Sequence, residues 1–74
     1  MDFLAATFLA FKVIGNLVKI DYVDDVTGQR RSESFHRGRY STRDFVSLRN
    51  HKGVLEYEWG DDGRRKILRL SLEA

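Results

Sequence analysis

The first fourteen residues, MDFLAATFLAFKVI, constrain the fold more than any other stretch, because only Asp2, Thr7 and Lys12 interrupt an otherwise apolar run. A segment of this kind needs cover, from the rest of the chain or from another chain. Phe3, Leu4, Phe8, Phe11 and Ile14 fall at helical spacing, while Ala5, Ala6, Leu9, Ala10 and Val13 fill most of the other faces. Asp2 stands where an N-cap would, and Gly15-Asn16 where a helix would stop. The pattern therefore predicts a helix with more apolar surface than one face can bury. It does not predict a membrane span, which needs about 20 apolar residues without a charge such as Lys12.

Beyond Gly15 the period changes from helical to two. Val18, Ile20 and Tyr22 alternate with Lys19 and Asp21, as in a strand with one buried face. Asp24–Gln29 reads as a hairpin loop, and Arg30–Phe35 as a second strand, polar on both sides and so placed at an edge. Residues 42–50 admit two readings. Ser41-Thr42-Arg43-Asp44 matches a capping box that would open a short helix, whereas Phe45–Arg49 is β-rich and Asn50–Gly53 suits a hairpin loop. The strand is the favoured reading. Leu55, Tyr57 and Trp59, then Gly60–Gly63, then Leu68, Leu70 and Leu72 read as a closing hairpin with those side chains inward.

These elements predict one α+β domain over residues 1–74. An N-terminal apolar helix (residues 1–15) would pack on a meander of four or five antiparallel strands (17–72), of SH3-like or other small-barrel type.

A chain of 74 residues buries only about 60% of its unfolded surface, and this one has no cysteine for a disulfide. Two histidines without a thiol do not make a structural zinc site, so neither metal nor cofactor is expected. Self-association, most simply as a homodimer, is the expected stabiliser, with Phe3, Leu4, Phe8 and Phe11 as its interface. The lack of cysteine and of a recognisable secretory leader points to the cytoplasm.

The formal net charge is only +2, but it is unevenly spread: residues 1–27 hold two Lys against four Asp, and residues 28–74 hold eleven Lys/Arg against seven Asp/Glu. Arg30, Arg31, Arg37, Arg39 and Arg43 are the densest part of that excess, with Arg49 and Lys52 at its margin. Such a patch attracts polyanions, of which nucleic acid is the commonest in a cell. In Arg37-Gly38-Arg39-Tyr40 the glycine would let backbone approach a phosphate, the arginines would grip it, and Tyr40, outside any strand, would stack on a base. Trp59, Tyr57, Tyr22 and Phe45 are expected in the core. His36 and His51 lack a nucleophile or orienting carboxylate in sequence and read as surface residues.

Val18–Asp24, Gly28–Glu33 and Arg64–Leu70, preceded by the predicted helix, resemble the WYL domain of bacterial regulators, although the Trp-Tyr-Leu triplet itself is absent. The resemblance implies a small barrel that opens with a helix and serves as a regulatory, nucleic-acid or nucleotide-sensing module. The sequence thus predicts a non-enzymatic binding module that holds nucleic acid through its arginines. The alternative is an assembly subunit that docks through its N-terminal helix.

Overall fold

The computed structural model describes residues 1–72. Five antiparallel strands, β1 (Asp2–Ile14), β2 (Leu17–Asp24), β3 (Arg30–His36), β4 (Lys52–Trp59) and β5 (Arg65–Leu72), form one sheet in the order β3-β2-β1-β4-β5. A single short helix, α1 (Thr42–Leu48), joins β3 to β4. The first three strands run as a meander and the fourth returns beside the first, which is a Greek key.

The apolar N-terminus is therefore the central strand of the sheet, and the expected N-terminal helix packed on a meander is corrected. β1 divides its edges between two neighbours. Ala6–Ile14 pairs with β2 on one side, and Asp2–Thr7 pairs with β4 on the other. Its helical appearance in sequence has a definite cause. Leu4, Ala6 and Phe8 alternate inward in strand fashion, then a bulge between Phe8 and Ala10 inserts Leu9 and shifts the phase by one residue. Phe11 and Val13 are inward after the bulge, so Leu4, Phe8 and Phe11 acquire helix-like spacing while belonging to a strand. Gly15-Asn16, read as a helix stop, is the turn of the β1–β2 hairpin, with Gly15 at φ 59°.

This placement also takes most of the residues expected at an oligomer interface into the fold of the single chain. Leu4 and Phe8 are buried within the monomer, Phe11 packs against the core, and only Phe3 stays exposed. The neighbouring strands β2 and β4 and the core side chains supply the cover that a second chain was expected to provide.

The core comprises Leu4, Ala6, Phe8, Val18, Ile20, Tyr22, Phe35, Phe45, Leu48, Leu55, Tyr57, Ile67 and Leu70. Phe8, Val18, Ile20, Tyr22 and Leu55 are fully buried, each such side chain stabilising the fold by roughly 1.5–3 kcal/mol. Gly53 permits the crowding of β4 between β1 and β5. A Cβ there would lie 2.6 Å from the Phe8 ring and collide with the Ser71 carbonyl.

The favoured strand over residues 42–50 is corrected to α1. Ser41 Oγ accepts the Asp44 N–H and Asp44 Oδ2 accepts the Ser41 N–H, which completes the capping box. Phe45 and Leu48, three residues apart, form its buried face. Phe45 stacks on Phe11 at 5.0 Å between ring centroids and meets Phe35 and Tyr40 at 6.2 and 5.5 Å. The helix thereby plugs one end of the curled sheet with an aromatic cluster.

The closing hairpin forms as expected, but its inward residues differ. A register shift leaves Leu68 opposite no residue of β4, so Ile67 and Leu70 are buried while Leu68 and Leu72 are exposed.

Candidate nucleic-acid interface

The sheet curls until β5 faces β3, and side chains rather than a hydrogen-bonded ladder bridge the two edge strands. Arg65, the first residue of β5, donates to Tyr22 Oη at 3.2 Å and to Asp24 Oδ2 at 3.3 Å, both on β2. Tyr22 in turn donates to Glu33 Oε2 on β3 at 2.5 Å. Asp24 is held from the other side, since its Oδ1 accepts the backbone N–H groups of Val26 and Thr27 and so shapes the β2–β3 loop. Burial, with the Glu33 hydrogen bond second, pushes the Tyr22 phenol up to about 12, so it remains a donor across the ordinary pH range. At the far end of the seam Tyr40 Oη accepts the Leu70 N–H at 3.0 Å and donates to the Leu70 carbonyl at 3.3 Å, which covers that part of the β5 edge.

Around the Arg65 tie, at the end of the seam away from Tyr40, two adjoining clefts of different chemistry form a surface groove. Gln29, Arg30, Arg31, Ser32 and Arg64 line the first, which is basic. Trp59, Ser34, Asp61, Asp62 and Lys66 line the second. Glu33 and Arg64 border both, so the two adjoin. Trp59 is 56% exposed, contrary to its expected place in the core. It sits at the end of β4, where the Arg65 guanidinium lies 5.3 Å from its ring centroid and the Tyr57 ring meets it edge-on at 5.5 Å. These contacts fix the indole and leave the remainder of its surface facing solvent.

The structure divides the predicted arginine site. Arg30 and Arg31 open β3 and line the groove, whereas Arg37 follows its last residue, roughly 20 Å of strand away at about 3.3 Å per residue. Arg37 is occupied locally, its Nε donating to the Tyr40 carbonyl at 2.8 Å and its N–H to the Asn16 carbonyl at 2.7 Å. Tyr40 is half-buried against Phe35 and Phe45, which corrects its expected role as an exposed stacking residue. Arg39 borders a separate cleft with Asp44, Ser47 and Leu48, and Arg43, Arg49 and Lys52 stand exposed on α1 and the approach to β4.

Two cations in the groove meet weak competition from carboxylates. Arg30 lies 3.9 Å from Asp21, and Arg31 Nε lies 4.0 Å from Glu33, at the limit of an ion pair. Arg64 has no carboxylate within that range among the described residues. Lys66 is paired with Glu58 at 3.7 Å. The exposed Arg30–Asp21 and Lys66–Glu58 pairs contribute about 0–1 kcal/mol and yield readily to a stronger anion. Sequence reading missed Arg64 and Trp59 because they lie outside the densest arginine run and in an apparently inward alternation.

His36 and His51 are exposed, and no group of three or more potential metal ligands occurs among the described residues. No described helix is long and apolar enough to cross a membrane. No protein-family model, no curated protein and no solved structure matches the chain.

Proposed function

We propose that this protein is a small non-enzymatic module that binds single-stranded nucleic acid along the β3–β5 groove. The observation that carries the reading is a basic cleft (Arg30, Arg31, Arg64) adjoining one that exposes an indole (Trp59) packed by Arg65 and Tyr57. Single strands are held by this combination, a cationic track for the phosphates and an aromatic face for the bases, each stacked base being worth about 1–3 kcal/mol. A duplex hides its base faces and would leave Trp59 without a partner. The architecture offers an analogy at the level of fold alone: five-stranded, partly open Greek-key barrels of the OB type bind oligonucleotides across strands 2–3 and the β4–β5 loop. Here β3 and the β4–β5 loop supply the groove.

Trp59 is the single tryptophan of the chain, so its emission reports on this site alone. Titration with oligo(dT) is expected to quench that emission, with affinity falling as salt rises. Arg64→Ala should weaken binding and reduce the salt slope by about 0.7 in log K per log salt, the value for one phosphate contact on a single strand. Unchanged emission at saturating oligonucleotide, or an affinity independent of salt, would contradict the proposal.

A further inference from the structure

β1 does not keep a neighbour on both sides along its whole length. Its ladder with β4 ends at the Thr7–Lys52 pair, after which Phe8 donates its N–H to the His51 carbonyl and accepts the Asn50 N–H. Its ladder with β2 continues to Ile14. Residues 10–14 therefore form an open edge on the side that β4 has left. The two-residue turn Gly15-Asn16 fixes which backbone groups that edge presents. Ile14 and Leu17 close the hairpin as a hydrogen-bonded pair, so Lys12 and Ala10 also bond toward β2, while the N–H and C=O groups of Phe11 and Val13 point away from it. No group among the described residues bonds to those four.

The outer face beside this edge is cationic. Lys12 stands directly opposite Lys19, a destabilising arrangement for like charges, and neither has a carboxylate in ion-pair range among the described residues. The carboxylate in the adjoining row, Asp21 opposite Ala10, is already held by Ser32 and Arg30. At the hairpin tip Ile14 and Leu17 are 63% and 55% exposed. The inward side chains of the edge, Phe11 and Val13, are only half-buried against the core.

These features choose among occupants. An edge that alternates N–H with C=O is complemented by another polypeptide backbone, whereas a phosphate chain would bring negative charge against the carbonyl oxygens. A second copy of this chain is disfavoured, because antiparallel pairing of the edge with itself across a two-fold axis would gather Lys12 and Lys19 of both copies. An acidic side chain opposite Lys12 would instead be attracted by both lysines.

We infer that residues 10–14 are a docking edge for an extended acidic segment of another protein, which adds beside β1 with a carboxylate opposite Lys12 and an apolar residue opposite Ile14. The inference does not depend on the β3–β5 groove or its ligand.

The probe is the capped peptide SVVEVTS, compared with SVVKVTS and with SVVEVTS N-methylated at the two valines that flank glutamate. Amide protons of Phe11 and Val13 should exchange rapidly in the free protein and slowly once SVVEVTS is bound. SVVEVTS is expected to bind roughly tenfold tighter than SVVKVTS, the scale of one favourable cross-strand charge contact set against one repulsive contact. N-methylation should abolish binding, and Lys12→Glu should reverse the order of the two unmethylated peptides. Slow exchange at both amides in the free protein would show that the edge is already covered and overturn the inference. Equal affinity for the acidic and basic peptides, or undiminished binding of the N-methylated one, would overturn it as well. So would protection of Phe11 and Val13 by oligo(dT) in place of SVVEVTS, which would assign the lysines to nucleic acid.

Discussion

Tyr22 shows how a single side chain ties the interior to the groove. Its ring is fully buried on β2, and its hydroxyl stands between Glu33 of β3 and Arg65 of β5, the two strands that no backbone ladder joins. Because burial and the Glu33 hydrogen bond raise its pKa from 10.0 to about 12, the folded protein retains a proton that the unfolded chain releases between those values. The stabilisation is complete below pH 10 and is lost as pH rises toward 12, where folded and unfolded states again hold equal charge at this site. Absorbance of tyrosinate should thus show one of the three tyrosines ionising near pH 12, with that step missing from Tyr22→Phe. A Tyr22 that ionises near pH 10 would show that the Glu33–Tyr22–Arg65 tie does not exist. None of these partners is adjacent in sequence, and Asp24, Glu33 and Arg65 look like ordinary surface charges until the curl of the sheet brings them together.

At the scale of elements, local signals and tertiary packing compete, and their outcome differs between β1 and α1. In β1 the apolar alternation was present but obscured by alanines on the outer face and by the one-residue bulge at Leu9, so period two passed for period 3.6. Pairing with β2 and β4 then decided the conformation, as no local propensity could. In α1 the local signal prevailed over β-branched and aromatic composition. The capping box fixed the first turn, and Phe45 and Leu48 needed helical spacing to reach the same aromatic cluster. Ser41→Ala is expected to cost about 1 kcal/mol in denaturant unfolding. The Ser41 hydrogen bonds, backbone first, hold the Asp44 carboxyl below its ordinary 3.8, so its contribution persists above that pH and is lost as pH falls through the lowered value. A Ser41→Ala variant with unchanged stability would mean that tertiary packing alone holds the helix. The β2 strand, both later hairpin turns and the capping box were legible because each depends on neighbours within a few residues. The bulges, the sheet order and the exposure of Trp59 were not, because each is settled by residues distant in sequence.

The whole molecule is a Greek-key sheet curled until its two edges face one another, plugged by α1 at one end and left as a groove along the remainder. Closure through Arg65 rather than through a backbone ladder leaves the seam open to a ligand. Of the arginines and lysine grouped in the sequence, Arg30 and Arg31 line this groove, while Arg37, Arg39, Arg43, Arg49 and Lys52 stand elsewhere on the fold. The most direct measurement is the map of backbone amide shifts on adding a short single-stranded oligonucleotide. The account predicts perturbations concentrated in residues 29–34 and 58–66 and at the Trp59 indole N–H. Perturbations centred on residues 37–49, or none at all, would contradict it.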